Sequence, residues 1–210
     1  MACILTFCFL FLQAVGQESP YSRHPDGFLR QGMELFEKGN YVSAQQHFMM
    51  AAEGYGPSDH HRRGEAEYFV ALCAIELFNQ DAEHLIRKFI DTHPDNQRVN
   101  LAHFQLGRLR YREQNYADAI HWLGRTDRNA LTFDERAELL FKLGYSYFIL
   151  NQYDPASRAF FEIKDTRNRY SSPATYYYSH IAYEQGNYAT ALRGFEILAD
   201  DETFSALVPY

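Results

Sequence analysis

The sequence predicts an all-α protein in which about five helix-turn-helix repeats stack into a solenoid. One short pattern recurs along the chain: a polar turn, a tyrosine, an alanine and a large apolar residue. Aromatic residues make up 16% of the 210 residues, and large rings suit thin helical layers because one ring can bridge two adjacent helix pairs. No segment shows the alternation of apolar and polar residues that is typical of strands.

The turns of the pattern contain Gly or Asn, as in Gly39-Asn40 and Gly186-Asn187. These residues tolerate the left-handed backbone that a tight connection between two helices requires. We therefore predict that a second helix begins at the tyrosine that follows. Four tyrosines occupy this position: Tyr41, Tyr116, Tyr153 and Tyr188.

Around each tyrosine, small and large residues alternate in a fixed order. An alanine follows three residues later: Ala44, Ala119, Ala156 and Ala191. A large apolar residue comes four residues further on: Phe48, Leu123, Phe160 and Phe195. Seven residues before the turn lies a small residue: Gly32, Gly107, Gly144 and Ser179. We predict that the small residues let two helices cross closely and that the large one locks the pair.

The repeats are placed in chain order from these signals. The spacing between the first two tyrosines is about twice that between the others, so a degenerate repeat without the tyrosine is predicted between them. Thr132 and Glu135 form a capping box before the fourth repeat. The predicted repeats cover residues 26–56, 60–94, 98–128, 133–166 and 172–200.

The two ends of the chain differ from the repeats. Residues 1–16 carry no charged side chain and end in small residues, which predicts a secretory signal peptide, and residues 17–25 are predicted to be a linker. At the other end, Asp200 is expected to cap a further helix over 202–210. Its apolar residues would be uncovered, which favours a chain that continues beyond Tyr210.

The repeats resemble tetratricopeptide repeats, a family of helix-turn-helix units of about 34 residues. The third repeat matches the family signature at Leu106-Gly107, Tyr116 and Ala119, and the fourth repeat matches at a larger set: Leu143-Gly144, Tyr147, Tyr153, Ala156 and Phe160. The signature Trp of the first helix is absent from the repeats that show the pattern. This drift resembles the divergent repeats of bacterial envelope proteins. The resemblance implies a right-handed α-solenoid that binds other proteins.

In this family, the first helix of each pair lines a concave groove in which a partner peptide lies. The resemblance places ten side chains on that surface: Phe104, Arg108, Tyr111, Arg112, Phe141, Tyr145, Phe148, Tyr176, His180 and Tyr183. The expected surface is an aromatic trough with a basic edge at Arg108 and Arg112, and such residues dominate binding hot spots. The alternative is that these rings pack against the neighbouring repeat.

No catalytic constellation is present in the sequence. There is no Gly-rich phosphate loop, no His-Glu-x-x-His and no Cys-x-x-Cys. The triplet Asp59-His60-His61 resembles that of a family of metal phosphoesterases, but those enzymes need it at a strand end, so we expect solvated side chains at a helix start. Cys73 is expected to be a buried, unreactive thiol. We predict no enzyme activity, no metal and no cofactor.

The formal net charge of −7 disfavours nucleic acid, because phosphate binding relies on clustered Lys and Arg. We expect protein partners, no small-molecule substrate and only indirect membrane association. Two functions fit these expectations. The first is an exported scaffold of the bacterial cell envelope, periplasmic or associated with the outer membrane. The second is the N-terminal sensor or interaction region of a longer signalling protein such as a histidine kinase.

Overall fold

The computed structural model describes residues 24–201 and 203–207, so the predicted signal peptide and nearly all of the predicted linker lie outside the described residues. Every regular element in the described part is helical, which confirms the all-α prediction. Within residues 24–201, ten α-helices follow one another: α1 Pro25–Glu37, α2 Tyr41–Gly54, α3 His60–Glu76, α4 Ala82–Thr92, α5 Val99–Arg112, α6 Tyr116–Arg125, α7 Phe133–Ile149, α8 Tyr153–Phe161, α9 Ser171–Glu184 and α10 Tyr188–Leu198.

The helices form five consecutive pairs. Each helix packs against the helix before it and the helix after it in the chain. The first helices of neighbouring pairs also meet, α3 with α5 and α5 with α7. Contacts restricted to near neighbours in sequence are typical of a solenoid, and the prediction of five stacked helix pairs is confirmed.

The same kind of turn joins the two helices of every pair. The second residue after the first helix has a positive φ in all five turns: Gly39, Phe78, Gln114, Asn151 and Gly186. In the first turn, the Gly39 N–H donates to the Phe36 carbonyl and the Asn40 N–H donates to the Leu35 carbonyl. The other four turns repeat these two hydrogen bonds, the Schellman motif that ends many helices.

The second pair keeps this turn although its sequence lacks the tyrosine. Phe78 takes the left-handed position with φ of 58°, which is uncommon for a bulky residue. The turn therefore follows from the packing of α3 and α4 rather than from the local preference of Phe78.

The small residues of the pattern lie where the two helices of a pair cross. A Cβ atom on Gly107 would lie 2.6 Å from the Leu123 side chain, so no larger residue fits without movement. In the fifth pair, the glycine that makes room at the crossing lies on the second helix instead of the first. Ser179 stands at the position of the glycine on α9, and Gly194 on α10 leaves the space for its hydroxyl group.

The core is a strip of apolar side chains between the layers of helices. The four alanines of the pattern are at most 2% exposed. The large apolar residues of the pattern are buried beside them: Phe48, Leu123, Phe160 and Phe195. The predicted capping box is present at the start of α7, where the Thr132 side chain accepts from the Glu135 N–H and the Glu135 carboxylate accepts from the Thr132 N–H.

The segment after α10 differs from the predicted helix over 202–210. Its described residues 203–207 form a turn and the short 3₁₀-helix Ser205–Leu207. Asp201, rather than the predicted Asp200, caps this segment, because its Oδ1 accepts from the Thr203 and Phe204 N–H groups. Phe204 then packs against the Tyr176 ring of α9, with 5.5 Å between ring centroids, so the chain bends back onto the last pair.

Candidate partner-binding groove

A cleft of about 250 Å³ opens along the first helices of the second, third and fourth pairs. We call it the groove. Its lining comes from α3, α5 and α7: Ile75, Glu76, Gln105, Arg108, Leu109, Tyr111, Arg112 and Lys142. Three of the ten side chains predicted from the sequence line it, namely Arg108, Tyr111 and Arg112.

One buried carboxylate organises the charges at the edge of the groove. Glu138 of α7 is 7% exposed. Arg108 Nε donates to its Oε1 at 2.8 Å, and Arg169 Nη2 donates to its Oε2 at 3.0 Å. Lys142 Nζ lies 3.6 Å from Oε1. Such partners are required because a buried charge without them is strongly destabilising. Since Arg169 precedes α9, Glu138 also links the third, fourth and fifth repeats.

Lys142 holds its positive charge in a poorly solvated position. Burial lowers the pKa of Lys142, the attraction of Glu138 opposes this effect, and Arg108 and Arg169 lower the pKa further. Lys142 Nζ lies 4.3 Å from the centroid of the Tyr111 ring, in a cation–π contact. Lys142 and Arg108 therefore place two basic side chains on the wall of the groove.

Arg112 extends the cationic surface toward the turn of the second pair. Its guanidinium carbon lies 4.3 Å from the centroid of the Phe78 ring, and the left-handed turn holds that ring 72% exposed. Arg112 forms no ion pair with any residue in 24–201 or 203–207. Its charge is therefore available to a ligand.

The predicted rings of the third and fourth repeats pack between repeats. Tyr145 lies edge-on to Tyr111 and Tyr116, with ring centroids 5.7 and 5.8 Å away. Phe141 stacks on Tyr170, with centroids 4.9 Å apart. These are the offset and edge-to-face arrangements that aromatic rings prefer. The rings thus join neighbouring pairs, as the alternative interpretation of the sequence proposed.

Two of the predicted residues nearer the end of the array, His180 and Tyr176, also pack against other aromatic rings. His180 lies edge-on to Phe148 at 5.5 Å, and its Nδ1 is buried without a hydrogen-bond partner in the described part of the chain. Tyr176 packs against Phe204. Tyr183 is 55% exposed and lies outside the groove lining. The predicted aromatic trough is therefore largely an inter-repeat aromatic cluster.

Phe104 requires a correction. It is 1% exposed and belongs to the core around Leu123 and Phe160, so it cannot contact a partner. The reason is its position one turn before Gly107, on the side of α5 that crosses α6, while Arg108 covers the ring from outside at 5.8 Å.

The sequence interpretation missed four residues of this region: Phe78, Glu138, Lys142 and Arg169. A signal existed for Lys142, because it precedes Tyr145 by three residues and so shares its helix face. No repeat signal pointed to Arg169, since it lies in the connection between α8 and α9, outside the recurring pattern.

Three polar side chains dispersed in the sequence meet at the start of α3. His93 Nδ1 lies 3.1 Å from His60 Nε2, and His93 Nε2 lies 2.8 Å from Glu67 Oε2. Burial acts to raise the pKa of Glu67, but hydrogen bonds with His93 and Arg63 lower it overall. Across residues 24–201 and 203–207, no set of three or more His, Cys, Asp or Glu side chains is placed to hold a metal ion.

The thiol of Cys73 is enclosed in α3. The residue is fully buried, and burial raises its pKa to about 12. Because the thiolate is the reactive form, this cysteine is inert as a nucleophile at neutral pH.

None of the described helices has both the length and the apolar character needed to cross a bilayer.

Comparison with known proteins identifies the architecture. No protein-family model and no curated protein matches the chain. The structure of MamA from AMB-1 matches with a TM-score of 0.64 and 18% identity, over 89% of this chain and 98% of that one. The apo form of RapI matches with a TM-score of 0.66 and 15% identity, over 88% of this chain and 56% of RapI. PilF of Pseudomonas aeruginosa matches with a TM-score of 0.60 and 19% identity, over 83% of this chain and 75% of PilF. All three are tetratricopeptide-repeat proteins. The chain has the tetratricopeptide-repeat fold.

The tetratricopeptide-repeat fold is thus retained in a divergent sequence. First-helix positions that carry the signature Trp in the family hold Phe28, His103, Leu140 and Thr175 here. The fold survives this change because the small residues at the helix crossings and the five Schellman turns are kept.

Proposed function

We propose that this protein is a non-catalytic scaffold that holds a segment of another protein in the groove. The observation that carries the proposal is a cleft formed by three consecutive first helices, with Arg112 at its edge, where it forms no ion pair with any residue of 24–201 or 203–207. Solenoids present such extended concave surfaces for binding, and the tetratricopeptide-repeat neighbours suggest an interaction scaffold.

We further propose that the scaffold acts in the bacterial cell envelope, in the periplasm or at the outer membrane. The support is the apolar, uncharged segment 1–16, which has the composition of a signal peptide. Fusing residues 1–25 to an alkaline phosphatase that is active only after export tests this location. Enzyme activity in intact cells is expected, and its absence would rule out export.

Blocking the groove tests the binding function without assuming the charge of the partner. Gln105→Trp places a large ring in the groove from α5. We expect this variant to lose the partners that the wild-type protein retains after cross-linking in native cells. The matched control is Met49→Trp, which adds the same ring at a 47% exposed position on α2.

Far-UV circular dichroism and thermal unfolding must first show that both variants are folded. Recovery of the same partners with Gln105→Trp as with Met49→Trp would refute the groove as the binding site.

A further inference from the structure

We infer that the segment held in the groove is acidic: a stretch of polypeptide that carries several Asp or Glu side chains. This inference rests on the proposed function, because it names the chemistry of the partner at the same site. It depends on the local distribution of charge, which is opposite in sign to the net charge of −7 of the whole chain.

The cations around the groove outnumber the carboxylates that neutralise them. Arg108, Lys142 and Arg169 share the single carboxylate of Glu138. Arg112 adds a fourth positive charge, and Glu76 is the one acidic residue in the lining of the groove. Four cations therefore face two carboxylates, which leaves an excess of positive charge on a surface of a few side chains.

The excess positive charge faces outward. The side chain of Glu138 is 9% exposed, whereas those of Arg108 and Arg169 are 36% and 70% exposed. A ligand that approaches the groove therefore meets guanidinium groups, with the carboxylate beneath them.

Donor atoms remain available on these cations. Arg108 donates through Nε to Glu138 and through Nη1 to Gln105, and its Nη2 makes no hydrogen bond to a described residue. Arg112 makes none through its guanidinium group within the described ranges. Guanidinium groups match the planar, two-oxygen geometry of a carboxylate, so Asp and Glu side chains are the natural occupants.

A polypeptide fits the groove better than a nucleic acid does. Nucleic-acid binding neutralises many phosphates along an extended surface, whereas the cations here are concentrated at one cleft. Ile75 and Leu109 give that cleft an apolar wall beside the cations. An acidic segment that also carries an apolar side chain uses both features.

Defined peptides test the inference. The full chain would be titrated by fluorescence anisotropy with a labelled peptide of about 12 residues made of Asp, Glu and Leu, and with its Asn and Gln isostere. We expect the acidic peptide to bind at least about tenfold more tightly at low salt, and this advantage to shrink at about 0.5 M salt, because salt screens exposed charges. Equal affinity for both peptides would overturn the inference. Tighter binding of a single-stranded oligonucleotide of equal charge would overturn it as well.

Variants that change one charge test whether the acidic peptide binds at the groove. Arg112→Glu should weaken binding of the acidic peptide about fivefold, because an exposed attraction becomes a repulsion. Arg193→Glu makes the same change at an exposed position on α10 and should leave the affinity unchanged. Glu138→Gln should tighten binding, since the buried carboxylate no longer neutralises the three cations. An equal loss in Arg112→Glu and Arg193→Glu would contradict the assignment, even if Glu138→Gln does not fold.

The two proposals fail in different ways. If Gln105→Trp abolishes partner capture while acidic and neutral peptides bind alike, the groove binds a partner of other chemistry and the inference alone is wrong. If the acidic peptide binds selectively but native capture is indifferent to Gln105→Trp, the proposed scaffold function is wrong.

Discussion

Single small residues set the distance between the two helices of a pair. Ala119 is fully buried on α6, and Gly107 on α5 leaves space for Leu123 in the same crossing. Protein interiors are close-packed, so even one added methylene group is felt at such a position. The geometry of each pair therefore depends on residues that form no hydrogen bond and carry no charge.

Ala119→Leu is expected to destabilise the protein by about 1 to 3 kcal/mol, because the larger side chain overpacks the crossing of α5 and α6. Urea unfolding followed by circular dichroism measures this change. Ala117→Leu, an exposed position on the same helix, serves as the control and should change stability little. Equal stability of the two variants would show that the crossing tolerates a large residue.

The helix pair is held in shape by its turn. All five turns place one residue in the left-handed region and satisfy two helix carbonyls through the Schellman motif, although the residues there differ widely. Gly39 and Gly186 occupy this conformation without strain, whereas Phe78 and Gln114 carry a Cβ atom that disfavours it. The turns of the second and third pairs are therefore imposed by helix packing.

Two opposite substitutions test this description of the turns. Gly186→Ala should lower the free energy of unfolding by about 1 kcal/mol, and no steric clash contributes, because nothing lies within 4 Å of the added Cβ. Gln114→Gly should raise it by up to about 1 kcal/mol through relief of the left-handed strain. Chemical denaturation of both variants provides the comparison, and shifts of the same sign would contradict the prediction.

At the scale of the whole molecule, aromatic rings and one buried carboxylate hold successive pairs together. Phe141 of the fourth pair contacts Tyr170 and Tyr177 at the fifth, while Glu138 pairs with Arg108 from the third and with Arg169 before α9. In a solenoid, total stability is roughly a sum of repeat stabilities and of interfaces between neighbours. These contacts therefore decide whether the array unfolds as one unit.

Phe141→Ala is expected to cost about 2 to 3 kcal/mol and to uncouple the fifth pair from the rest. Trp122, the single tryptophan, lies in the third pair and reports on that part of the array. In Phe141→Ala, the unfolding transition followed by Trp122 fluorescence should occur at a higher urea concentration than the transition followed by circular dichroism, which reports on all the helices. Phe133→Ala removes a 55% exposed ring from the same helix and should leave the transitions coincident. Coincident transitions in Phe141→Ala would show that the ring does not couple the pairs.

The sequence by itself determined the helical class, the five pairs and the positions of their turns. These features depend on local signals: small residues at crossings, a polar turn before a tyrosine, and a capping box at Thr132. Only Gly39, Asn151 and Gly186 are turn residues that also tolerate the left-handed backbone. Even the degenerate second pair could be placed, because repeat spacing constrains it. The sequence also pointed to Arg108 and Arg112 as groove residues, since helix periodicity places residues four apart on one face.

Only the tertiary structure decided which side chains line the groove. Helix periodicity assigns a face, but how far a ring on that face meets solvent depends on the neighbouring repeat, and for Tyr145 and Phe141 that repeat covers part of the ring. Arg169 reaches Glu138 from a connection that no repeat pattern describes. Packing between repeats partly buries most of the predicted rings, whereas the charged ends of Arg108 and Arg112 remain in contact with water beside Tyr111 in the groove.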